Sequence, residues 1–310
     1  MAKQNVQAQK DKETQEKEEK AMIAEIMAAS GLQNTQSRKK YFSLIQMTSV
    51  IGAFKSFENH KDAELGGYRI QSQSGSDGSK YKPFNGNNPF TGNILLTRTS
   101  FAVKRGEELV GYVGEIDGYN GKKTVLEVLD SSDSSVMMTG TRLEIEQRGL
   151  TLKREEVLYV LITEPELVKE CQATTPVLEG ESLPDDVAVA RVKVKGYGFH
   201  NPDEPTSFTS YKGTFTGQGM DQLPMAVTLF GGKAKKFPVY GEVYYPAFMK
   251  ESVIEPSQLS LIMKVTKDVR LLLEGFKQEK EQNRIATTQQ QVSSEGTVNE
   301  PTEVKSFSDL

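Results

Sequence analysis

"RVKVKGYGFHNP", Arg191 to Pro202, is the stretch on which the fold reading turns. Arg191, Lys193, Lys195, Tyr197 and Phe199 take every second position, and Val192, Val194, Gly196 and Gly198 lie between them. In an extended strand alternate side chains share a face. The alternation predicts a strand over 187–200, valines toward a core, cations and rings on the opposite face. Glycines let a strand bend sharply, as small barrels require, and leave the back of the ring pair unobstructed. The same pattern also describes an edge strand with a solvated basic face.

Outward from this stretch, period-two patterning predicts strands near 94–104, 108–116, 123–129, 136–147 and 151–162, then near 206–217, 225–231 and 235–245. "KRGEE", "GYNGKK", "DSSDSS" and "QRGL" supply turns, with Asn120-Gly121 and Gly231-Gly232 as tight hairpins. "EPELVKECQ" reads as a short helix. Ile262, Val265, Val269, Leu272 and Phe276 step by three and four, an amphipathic helix with Ser257 as N-cap. The fold class is therefore α+β with a β-rich core. An OB-like barrel, and two strand-rich halves each followed by a helix, both fit.

The ends differ from the core. Residues 1–20 mix lysines and acids with almost no apolar groups, a disordered charged arm. Residues 21–70 read as a helical segment: "AMIAEIMAASG" has helical spacing, and Tyr41 to Phe57 is read as partly helical. Residues 71–93 are rich in Gly, Ser, Asn and Pro and read as a flexible loop. The core spans 94–284, with Pro176 to Asp186 as an acidic linker. Residues 285–310 form a disordered, mildly acidic tail ending "SFSDL".

Lys195-Gly196-Tyr197-Gly198-Phe199 resembles the first five positions of the RNP1 motif, and most of all its cold-shock version. "HNPDEPTSFTSY" is similar to the loop and second motif strand of cold-shock domains. The resemblance implies base stacking by Tyr197, Phe199 and Phe208, with Tyr211 near a further aromatic position, and backbone contact by Lys195. Arg191, Lys193 and Lys212 extend the expected surface. His200, Ser210 and the lack of any tryptophan depart from that family's pattern. The tail resembles that of bacterial and phage single-stranded DNA-binding proteins, which competes with DNA and recruits partners.

A second cationic-aromatic patch is "GGKAKKFPVYGEVYYP": Lys233, Lys235 and Lys236, then Phe237, Tyr240, Tyr244 and Tyr245. Lys235 and Lys236 join the candidate nucleic-acid contacts; a solubilising hairpin tip is the other reading.

The chain has 310 residues and a net charge of -4, so any polyanion must meet a local basic surface rather than a global field. One cysteine excludes an internal disulfide and thiolate clusters, and His60 and His200 have no ligand-like spacing. No nucleotide-binding P-loop or catalytic triad pattern occurs, so no enzyme, metal or cofactor is expected. The absence of an apolar leader or spanning run favours a cytoplasmic setting, that of the host if the chain is viral. The expectation is a largely sequence-independent single-stranded nucleic-acid-binding protein, for DNA or RNA, in phage or mobile-element replication or recombination. Replication proteins recruited by the tail and a second copy of the chain are the expected partners. The alternative is a structural or assembly component of a virion, without nucleic-acid chemistry.

Overall fold

A computed structural model describes residues 42–47, 67–72, 80–84, 89–172, 183–201, 203–216, 226–238 and 241–295. The arm at 1–20, the "AMIAEIMAASG" helix and the tail beyond 295 lie outside these residues, as does much of the acidic linker.

The strands are β1 (Ser43–Met47), β2 (Tyr68–Ser72), β3 (Lys80–Phe84), β4 (Phe90–Arg105), β5 (Glu108–Ile116), β6 (Val125–Asp130), β7 (Val136–Thr141), β8 (Thr151–Ile162), β9 (Ala188–Lys195), β10 (Ala226–Phe237) and β11 (Gly241–Val253). They form one open sheet in the order β3-β2-β1-β9-β8-β4-β5-β6-β7. The core is β-rich as expected, but the sheet does not close into a barrel. The helices are α1 (Arg142–Gln147), α2 (Pro165–Gln172), α3 (Phe208–Thr216) and α4 (Pro256–Glu295).

β4 organises the sheet. One edge pairs with β8 from Gly92↔Ile162 to Lys104↔Thr151. Its other edge is shared: residues 90–92 pair with β10, and residues 99–105 with β5. The β10–β11 ribbon then leaves β4 and crosses one side of the sheet, here face A, where the Tyr68 hydroxyl donates to the Gly231 carbonyl at 2.9 Å.

Alternation sorts β8 cleanly. Leu158, Val160 and Ile162 point to face A, among Phe90, Val192, Val194, Phe208, Phe230 and Phe248. Val157, Tyr159 and Leu161 point to face B, where Ile262, Val265, Val269 and Leu273 of α4 cover them. Each fully buried aliphatic chain contributes about 1.5–3 kcal/mol relative to exposure, so burial on both faces makes this the centre of the fold. A third cluster, Phe101, Val103, Val113, Leu126, Val128 and Leu152 with Ile145 of α1, fills the β5–β7 wing on face A.

Several expectations need correction. Within Tyr41–Phe57, expected to be partly helical, Ser43–Met47 is a strand parallel to β9, and residues 48–57 lie outside the described residues. The loop at 71–93 contains the end of β2, all of β3 and the start of β4. The strand at 136–147 stops at Thr141 because a capping box starts α1. Glu144 N–H donates to Thr141 Oγ1 at 3.4 Å, and Thr141 N–H donates to Glu144 Oε2 at 2.6 Å. Within the strand expected at 206–217, Phe208–Thr216 is instead the helix α3, because Phe208, Tyr211 and Phe215 all face the core from one helix side. Gly231-Gly232 is mid-strand; the ribbon turns after Phe237 instead. Asn120-Gly121 sits in a longer loop, where the Asn120 carbonyl accepts from Lys123 and Thr124 and the positive φ belongs to Gly118. The stretch 285–295 continues α4.

Candidate nucleic-acid interface

β9 carries Val192 and Val194 into the face A core, as the alternation requires, and Arg191 and Lys193 onto face B. The strand ends at Lys195. Gly196 then takes φ +58°, and Gly196–Gly198 make a 3-10 turn closed by Phe199 N–H donating to the Gly196 carbonyl at 3.1 Å. Left-handed φ favours glycine. Gly198 is required for another reason: a Cβ there would lie 2.7 Å from Pro246 Cδ, against β11. The two glycines thus serve a corner, not a bent strand, and the five predicted contact residues do not share one face.

Arg191 and Lys193 are matched by acids. Arg191 approaches Glu115 at 3.3 Å and donates from Nε to the Phe42 carbonyl at 3.3 Å. The other Glu115 oxygen accepts from the Tyr159 hydroxyl at 2.5 Å. Burial, reinforced by the Glu115 charge, pushes the Tyr159 pKa well above the usual phenol range. Glu115 gets there because the β4–β5 register gains a residue on β5 between Thr99↔Ile116 and Phe101↔Val113. Lys193 pairs with Glu155. Lys195 stands opposite Glu155 in register and is exposed.

Tyr197 turns to the far half of the ribbon. Its ring meets Phe237 edge-on at 5.5 Å and Tyr245 at 5.0 Å. The Lys235 ammonium lies 4.6 Å over the Tyr197 ring and 5.9 Å over that of Phe237, and donates to the Tyr197 hydroxyl. That hydroxyl raises the Lys235 pKa. Lys236 is exposed beside it. Behind the cluster, Glu204 accepts from Lys233 at 2.7 Å, Thr206 Oγ1 at 2.6 Å and the Tyr245 hydroxyl at 3.3 Å. The Lys233 and Thr206 bonds hold the Glu204 pKa down to about 2, while burial and the Glu204 charge push Tyr245 up to about 12.

Phe199 goes elsewhere. Its ring packs on the face A core under the Arg154 guanidinium. Arg154 also lies 5.3 Å over the Tyr119 ring and donates to Thr99 Oγ1 at 3.1 Å and Glu156 Oε2 at 3.3 Å. This polar seam separates the two face A clusters. Burial raises the Glu156 pKa, with Arg154 pulling against it. Lys212, on α3, is half-buried, and its charge acts on Glu156.

Phe208 is 1% exposed and Tyr211 3% exposed, both in the core. Phe208 meets Phe248 at 5.3 Å, and the Tyr211 hydroxyl bonds with that of Thr228 at 2.7 Å. Neither ring presents a stacking surface. Tyr240 lies outside the described residues, and Tyr244 is half-buried with its hydroxyl donating to Glu242 at 3.0 Å. Of the ten candidate side chains, Tyr197 and Lys235 make direct contact, with Lys236 beside them and Lys195 at the adjoining strand end. Sequence reasoning missed Arg98, Ser100 and Lys153. The first two lie on β4 and the last on β8, and strand register alone sets them on face B with Lys193 and Lys195.

Among the described residues no group of three or more His, Cys, Asp or Glu could hold a metal ion. Burial pushes the Cys171 thiol up to about 12, so it is a core group rather than a nucleophile. No helix among the described residues is long and apolar enough to cross a membrane. The arrangement offers cations and aromatic edges. No family model matches the chain, and neither the curated proteins nor the solved structures include a match to it.

Proposed function

We propose that this protein binds single-stranded nucleic acid, DNA or RNA, with little sequence preference. One observation supports this above the others: the ribbon and the β9 corner bring Tyr197, Phe237, Lys235 and Lys236 together at the surface end of β10. An aromatic platform contributes about 1–3 kcal/mol per stacked base and accepts any base. The lysines supply phosphate attraction, and Lys235 would exchange its place over the Tyr197 ring for a base and a phosphate.

The test is titration of a fluorescent single-stranded oligonucleotide at about 50 and 200 mM salt. The parent binds at low salt, more weakly at high salt. Tyr197→Leu, chosen to keep apolar packing against Tyr245, loses about fivefold or more in affinity at unchanged melting temperature. A parent that does not bind at low salt overturns the proposal.

The assembly reading is favoured by one feature, Met263 and Leu271 exposed on α4. Light scattering tests it: a large symmetric assembly indifferent to added oligonucleotide selects that reading instead.

A further inference from the structure

Register extends the cationic face from β9 across β8 to β4. Across three strands of face B, Arg98 stands opposite Val157 and Val157 opposite Lys193; Ser100 stands opposite Glu155 and Glu155 opposite Lys195. Lys153, two residues before Glu155 on β8, shares that face and is exposed. Adjacent strands lie about 4.8 Å apart, so these side chains span about 10 Å. Arg98, Lys153, Arg191, Lys193 and Lys195 gather here, with Glu155 of β8 against Lys193 and Glu115 of the neighbouring β5 against Arg191.

A second observation is independent of charge. Among the described residues, Arg98 Nε and Ser100 Oγ are buried and have no hydrogen-bond partner. Ser100 is 8% exposed, and the two residues are neighbours on the same side of β4. A buried donor left unmade costs about 1–3 kcal/mol. Two such groups side by side, among lysines, describe a place where an outside oxygen acceptor would be welcome.

We infer that the part of this β4–β8–β9 face around Ser100, Glu155, Lys153 and Lys195, past the Val157 position that α4 covers, is an anion-binding surface for the phosphodiester backbone of the bound strand. The inference rests on the proposed nucleic-acid reading and extends it. Tyr197 is two residues beyond Lys195, within about 7 Å along the chain, so a strand held at the aromatic corner on the face A side reaches the cationic face by turning around the sheet end at Lys195. Glu155 and Glu115 hold Lys193 and Arg191 in the unbound protein. Phosphate oxygens take over these cations, and reach Ser100 Oγ and the Arg98 guanidinium once the Arg98 side chain swings outward.

The experiment uses the full chain, a fluorescent oligothymidylate and inorganic polyphosphate, with Lys153→Ala/Lys195→Ala and Glu155→Gln variants. Both lysines are exposed, so the double variant keeps its fold, checked by its melting temperature. It should bind the oligonucleotide about tenfold more weakly, with a salt slope shallower by about 1.4, from about 0.7 per lost phosphate contact. Glu155→Gln should bind severalfold more tightly, since Lys193 loses its internal counter-charge. A parent that binds oligonucleotide while the double variant keeps its affinity and slope overturns this inference alone. A parent that ignores oligonucleotide but binds polyphosphate through these lysines overturns the stacking reading and supports the anion surface. No binding to either probe overturns both.

Discussion

The Arg154 guanidinium stands 4.9 Å above the Phe199 ring, tying the β9 corner to the β4–β8 ladder. Stacking of this kind contributes about 0.5–2 kcal/mol. The larger consequence of losing Arg154 falls on Glu156, which is 5% exposed and would keep the neutral Thr99 hydroxyl as a donor. Arg154 is itself partly exposed, so the cost stays below that of a fully buried pair. Arg154→Ala is expected to lose about 2 kcal/mol in urea unfolding at pH 7.5. The deficit should shrink toward pH 4, because Glu156, whose folded pKa is already raised by burial, then takes a proton and needs no counter-charge. A loss that is constant with pH would contradict this.

Glu204 gives the opposite pH signature. Its folded pKa of about 2 lies below its ordinary 4.5. The folded state therefore binds fewer protons than the unfolded chain between those values, and stability is lost as pH falls through them. Above about pH 4.5 this contribution is fully present. Melting temperatures recorded from pH 6 down to pH 2 should fall less steeply for Glu204→Gln than for the parent. Identical slopes would mean that the Lys233 and Thr206 bonds do not persist in solution.

Phe208 separates a packing role from a binding role. Phe208→Ala should cost about 3–5 kcal/mol, the range for an emptied aromatic site in a core. Phe208→Leu should restore most of that stability and bind oligonucleotide like the parent. A Phe208→Leu protein that is stable yet no longer binds would return the ring to the interface.

The corner glycines should fail for different reasons. Gly196→Ala forces a side chain into left-handed φ, a cost of about 1–2 kcal/mol. Gly198→Ala places a methyl 2.7 Å from Pro246 Cδ and 3.1 Å from the Pro246 carbonyl oxygen, and the ribbon must shift. Overpacking costs about 1–3 kcal/mol. Thermal melts measure both; proton spectra of Gly198→Ala should show the Tyr197 and Tyr245 rings displaced, and those of Gly196→Ala should not.

Much of the sheet was legible because period two is a local property. Thr151–Ile162 and Glu108–Ile116 coincide with their predicted spans, and the apolar steps of Ile262, Val265 and Val269 mark the buried side of α4. Other signals were present and misread. Phe208, Tyr211 and Phe215 are spaced three and four apart, a helical period that the motif resemblance overrode. Thr141-Arg142-Leu143-Glu144 is a capping box in plain sequence.

By itself the sequence determined which residues alternate and that Val192 and Val194 face inward; it offered Gly196 and Gly198 only as residues that let a strand bend. Tertiary structure alone decided what lies beside them. Which strands adjoin β9 sets Glu155 next to Lys193 and Ser100 two strands from Lys195, and register between distant segments leaves no trace in local spacing. A left-handed glycine ends the strand at residue 195, so Tyr197 and Phe199, adjacent on paper, part company: one joins the ribbon, the other the Arg154 seam.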